Sequence, residues 1–145
     1  QVERYRMLPD RRDAIRKLPQ IDSTDLVSCS VAPALVKDRK VRMLTVAEAE
    51  SDLVLAGECM ELEDQEGIAR RLLSVYEGHN TDGRIGLPRE IQTDSRYFYE
   101  AFKDALCEIG IRVTCFEHIP ALERLRRSFA DYLDRLGESG GPGRK

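Results

Sequence analysis

The chain has 145 residues, 41% of them hydrophobic, which is enough for one domain with a substantial buried core and excludes wholesale disorder. Its formal net charge of −3 excludes a global basic field, so nucleic acid is a partner that the charge does not support. No apolar run approaches the ~20 residues of a membrane span, and the N-terminus lacks the apolar core of a signal peptide, so the chain reads as cytoplasmic with no membrane partner.

Residues 1–25 are charged and interrupted by Pro9 and Pro19; they read as a lead-in outside the core, with a short helix over 10–18. "LVSCSVAPAL" (26–35) alternates Val27, Cys29 and Val31 with Ser28 and Ser30, which is strand period. "VKDRK" makes the turn, "VRMLTVAEAE" (41–50) is a second strand, and "LVLAGECMEL" (53–62) is a third, joined to it as a hairpin. The period then changes: Ile68, Ala69, Leu72, Leu73, Val75 and Tyr76 recur at helical spacing between a cap at Asp64 and a stop at Gly78. "GHNTDGRIGLP" is a turn-rich connection, and "REIQTD" a short fourth strand. A second helix carries Phe98, Phe102, Ala105, Leu106 and Ile109 on one face and ends at Gly110; "IRVTCFE" is a fifth strand. From Pro120, the stripe Leu122, Leu125, Phe129, Leu133 and Leu136 marks a last helix, and 137–145 is a flexible tail. The domain therefore spans 26–136. The four cysteines, Cys29, Cys59, Cys107 and Cys115, lack zinc or dithiol spacing, and most read as small buried hydrophobes. A chain that opens on Gln1 reads as a piece of a longer protein, with neighbouring domains among its partners.

The order βββαβαβα predicts an α/β fold with a mixed five-stranded sheet, the last two strands beside the first and helices on both faces. This resembles the ribonuclease H-like fold of integrases, transposases and several nucleases. "REIQTDSRYFYEAFKDALCEIGIRV" is similar to the integrase segment in which a strand ends in Thr-Asp, a helix with an early aromatic follows, and Gly-Ile opens the next strand. Residues 41–136, through "LTVAEAESDLVLAGECME" and "LPREIQTDSRYFYEAFKDALCEIGIRVTCFEHIPALERL", also resemble a bacterial domain family of unknown function found in longer proteins. That likeness implies the fold and no activity.

Nucleases of this fold hold two divalent cations, Mg or Mn, with acids in the middle of the first strand, at the end of the fourth and on the last helix. The resemblance implies Asp94 for the second position and Glu123 for the third. The first strand departs from the pattern: Ser28 and Ser30 stand where an acid is expected, and a neutral hydroxyl cannot replace a carboxylate shared by two cations. Asp25, at the start of that strand, or Glu48 or Glu50, near the hairpin, are the substitutes a divergent metal nuclease would need.

The plainer readings are preferred. Asp94 caps the helix that follows it. Glu123 pairs with Arg127 at i and i+4 on a solvated face, and Arg124, Arg126 and Arg127 belong to that mixed face. Glu117 and His118 could approach Asp94 across the strand ends, though a surface loop pair is the reading adopted. His79 sits in an ordinary connection. Ser28 and Ser30 lack a nucleophile's partners. The expectation is a degenerate, non-catalytic ribonuclease H-like module that binds a protein partner or its neighbouring domains, with no cofactor. The third strand, poor in charges and at the sheet edge, could also support a homodimer.

Overall fold

The computed structural model describes residues 2–33 and 39–139, and only the backbone of Pro33, Leu133, Asp134 and 136–139. The alternating segment forms β1 (Thr24–Pro33), preceded by α1 (Pro9–Ile15) and followed by β2 (Lys40–Glu48) and β3 (Val54–Met60). The segments of helical period become α2 (Gln65–Tyr76), α3 (Arg96–Glu108) and α4 (Pro120–Ser139), separated by β4 (Glu90–Thr93) and β5 (Arg112–Cys115). The sheet order is β3-β2-β1-β4-β5: the first three strands are antiparallel, and β4 and β5 run parallel to β1. This is the expected mixed sheet. Residues 36–38 of the turn predicted over 36–40, the side chains of Leu133 and Leu136, and the tail from 140 onward lie outside the described residues.

Strand period decides which face each residue serves. Val27 and Cys29 of β1, Leu44 and Val46 of β2 and Ile91 of β4 point toward α2 and α3, where Ile68, Leu72, Tyr76, Phe98, Phe102 and Leu106 complete the main core. Each such side chain, fully buried, contributes about 1.5–3 kcal/mol relative to exposure. On the other face a small cluster of Leu26, Ala47, Ile119 and Leu122 seats the start of α4, with Leu125 packed against it. Central β1 is thus buried on both sides, and its two serines face α4.

Two expectations need correction. Met7 and Ile15, assigned to a lead-in outside the core, are buried in the main cluster, and the Tyr5 N–H donates to Ala101 O at 2.8 Å. The first residues bridge α2 and α3: the Tyr5 ring packs 5.3 Å from Phe102 of α3, and Arg11 Nη1 donates to Glu66 Oε2 of α2 at 2.8 Å. Of the cysteines only Cys29 is buried; Cys59 and Cys107 are exposed. The start of α2 is as predicted, with Asp64 Oδ1 accepting from Gly67 N at 2.9 Å.

Candidate functional site

The five candidate acids fall in two different places, Glu50 lying with Glu48. Asp25 opens the strand and pairs in register with Glu48, so these two lie at one end. Thr93 pairs with Val27, which sets Asp94 beside Ser28, three residues further along and roughly 10 Å away by strand rise. Asp25 also shares a face with Val27 and Cys29, toward α2, whereas Ser28 faces α4. Glu123, on α4, belongs to the Asp94 end.

At the first end, Asp25 is fully buried and held by Arg84 through two hydrogen bonds, Nη1 to Oδ1 at 3.1 Å and Nη2 to Oδ2 at 2.7 Å. Ser23 Oγ donates to the same carboxylate at 3.1 Å, and Arg84 Nη1 also reaches Glu48 Oε2 at 3.0 Å. The Ser51 hydroxyl, above all, and the Arg84 charge lower the Glu48 pKa below the ordinary carboxylate value. Burial pulls the Arg84 guanidinium down, but its bonds to Asp25 and Glu48 outweigh this and leave its pKa raised. Tyr76, wholly buried nearby, has its pKa pushed well up by desolvation first and by the Asp25 charge second. This end is a closed ionic knot.

At the second end, Arg126 of α4 inserts its Nη1 between Asp94 Oδ2, at 2.5 Å, and Ser28 Oγ, at 3.1 Å. Asp94 therefore does not cap α3. Ser95 does, accepting from Phe98 N at 3.2 Å, because Asp94 turns away from the helix toward the guanidinium. Glu123 pairs with His118 rather than Arg127, Oε2 to Nδ1 at 2.9 Å. Asp94, Ser30, Glu117, His118, Glu123 and Arg126 border one cavity of about 410 Å³. Arg42 closes its floor, donating Nη1 to Cys29 O at 2.9 Å and stacking 3.6 Å over the Tyr97 ring. Burial pushes the Cys29 thiol up to about 12.

The donor set does not fit two divalent cations. Ser28 supplies no charge, the cation facing Asp94 is already a guanidinium, and Glu123 is engaged by His118. Among the described residues, no three of His, Cys, Asp and Glu converge as metal ligands. Two residues that organise these ends, Arg84 and Arg126, are absent from the sequence-derived sites. Arg126 carried a signal: it lies four residues after Leu122 and three before Phe129, on the stripe that faces the sheet. Arg84 had only an indirect one, since Asp25 shares the parity of Val27 and Cys29 and so needs a buried counter-charge.

A family model described as "Domain of unknown function (DUF6930)" matches residues 11–130. No curated protein matches by sequence. Among solved structures, the human T-cell lymphotropic virus HTLV-2 integrase catalytic core domain in complex with magnesium, in its trimeric form, is similar with a TM-score of 0.55 at 15% identity, covering 81% of this chain and 74% of that one. Its dimeric form gives a TM-score of 0.56 with the same identity and coverage. The simian T-cell lymphotropic virus intasome in complex with the PP2A regulatory subunit B56 gamma gives 0.56 at 21% identity, over 90% of this chain and 47% of that one. At these identities the likeness shows the ribonuclease H-like fold alone.

Proposed function

We propose that this chain, which belongs to the family described as a domain of unknown function (DUF6930), is a ribonuclease H-like module whose strand-end site has become a binding or regulatory surface without metal-dependent nuclease chemistry. One observation carries the reading: the Arg126 guanidinium sits between Ser28 and Asp94, the positions where the resemblance to nucleases of this fold implies metal-binding acids. An internal cation neutralises Asp94, as a metal would, but it offers no Lewis acidity and activates no water. The role left to the domain is recognition, of a protein partner or of neighbouring domains.

The competing reading is a divergent nuclease acting on phosphodiesters. It draws on the cavity that Asp94, Glu117, His118 and Glu123 share, and on the magnesium held by the HTLV-2 integrase core. Calorimetric titration of Mg²⁺ and Mn²⁺ into wild type and Asp94→Asn, with Tm followed in parallel, separates the two. No saturable heat and no metal-dependent rise in Tm are expected. Saturable binding lost in Asp94→Asn, with metal-dependent cleavage of DNA or RNA, would overturn the proposal.

A further inference from the structure

We infer that the cavity beside Asp94 binds a free amino acid, with the ligand's carboxylate on Arg42 and its ammonium group toward Glu117. The inference rests on the binding role proposed above and names the class of ligand. Among the described residues, the other half-buried arginines, Arg11, Arg12, Arg71, Arg84 and Arg126, each pair with a carboxylate. Arg42 pairs with none. Its Nε donates to Leu62 O at 3.0 Å and its Nη1 to Cys29 O at 2.9 Å, and the Tyr97 ring lies 3.6 Å beneath it. Two carbonyls and an aromatic face hold the group without cancelling its charge, and a charge withdrawn from water without a counter-charge is costly. The second Nη1 hydrogen and both of Nη2 have no described acceptor, which leaves the end-on fork that matches the two oxygens of a carboxylate.

The cavity that Arg42 floors lies where the parallel strands end: Cys29 and Ser30 come from the last part of β1, Asp94 follows β4 and Glu117 follows β5. Open α/β sheets place ligands at this edge. Its volume of about 410 Å³ falls within the roughly 300–1,000 Å³ of small-molecule sites. Charge then selects the occupant. Asp94 is neutralised by Arg126, and Glu123 is engaged by His118. Glu117, 92% exposed, meets only the His118 ring, with Oε1 3.9 Å from Nε2 and beyond hydrogen-bond distance. One cation on the floor and one anion at the mouth are left over. A phosphate monoester or a nucleic-acid backbone brings more negative charge than Arg42 balances and meets Glu117 and Glu123. A molecule with one carboxylate and one amine satisfies both leftover charges.

The test is an NMR titration of the ¹⁵N-labelled full chain with each of the standard amino acids, in buffer containing EDTA. Saturable shifts are expected for at least one of them at the Arg42 Nε–H and the Ser95 amide. Replacing the ligand's carboxylate by a carboxamide should weaken binding by about tenfold or more. The α-hydroxy acid of the same side chain, which lacks the amine, should bind about threefold more weakly, because Glu117 is exposed. Glu117→Gln should abolish that preference with the fold intact. Arg42→Lys keeps the charge and loses the fork, and should weaken the amino acid by about tenfold. Should this variant not fold, the wild-type Arg42 shift and Glu117→Gln decide. No saturable shift, shifts that spare Arg42, a carboxamide that binds as well as the acid, or an amine preference that survives Glu117→Gln would each overturn the inference. EDTA keeps divalent cations out of this experiment, so the Mg²⁺ and Mn²⁺ titration still judges the proposed function separately.

Discussion

One carboxylate–guanidinium pair lies at the start of β1 and another beside its middle, just after β4, and the two differ in what surrounds them. Asp25 is 0% and Arg84 12% exposed, joined by two hydrogen bonds and flanked by Ser23 and Glu48. Asp94 is 6% exposed but Arg126 39%, and one nitrogen makes the contact. Arg84 comes from a connection tied down at several points. Arg126 comes from a helix whose apolar seat is the small cluster around Leu26 and Leu122. Residue identity is the same in both pairs, so exposure is what separates them: Arg84 is nearly sealed and Arg126 faces water.

Equivalent truncations at the two ends are the most direct way to break that contrast. Arg84→Met strands a buried carboxylate and is expected to lower stability by about 3–5 kcal/mol in urea denaturation. Arg126→Met removes a charge-assisted hydrogen bond from a group that water can reach, and is expected to lower it by about 1.5–3 kcal/mol. Equal losses would mean that the second end is as closed as the first. Ser95→Ala, which removes the α3 cap beside Asp94, should reduce stability by about 1 kcal/mol, and Asp94→Ala should leave the helix start intact.

Acid sharpens the contrast further. The Glu48 pKa is lowered in the folded chain, so its contribution is complete above the unfolded value of about 4.3 and is lost as pH falls through the folded value. Ser51→Ala removes the largest cause of that shift and should flatten the fall in urea midpoint on the acid side. The smallest effect concerns Cys29, whose thiol, at about 12, carries almost no thiolate near neutrality. Iodoacetamide should label exposed Cys59 and Cys107 first. Cys29 labelling, followed by mass spectrometry, should speed up more in Arg84→Met than in Arg126→Met, in step with the stability each variant loses.

The fold was legible because its signals are periodic. The alternation in β1 and the helical spacing in α2 and α3 each recur over many residues, and the predicted faces are buried except at Val31, which is 49% exposed. The site was less legible because its determinants are single residues meeting across long separations. Arg84 reaches Asp25 across 59 positions, and Arg126 reaches Ser28 across 98, distances that no local pattern encodes. Asp94 shows the difficulty at short range. It and Ser95 are both capping residue types, and the choice between them was made by a guanidinium on a distant helix.

The connection between α2 and β4 looked like an ordinary surface loop, yet it seals the start of the β3 edge with Thr81 and the buried acid with Arg84. Asn80 ties it to Val75 O and Arg84 O at 2.8 and 2.9 Å. Gly86, at φ +138°, passes so close to Ile21 and Pro19 that a Cβ would lie 2.7 Å from the Ile21 side chain. Surface loops are where chains usually accept insertions and deletions. Here the spacing between Thr81, Arg84 and Gly86 is fixed by three separate contacts, so chains of this fold with the same loop contacts must vary in length elsewhere.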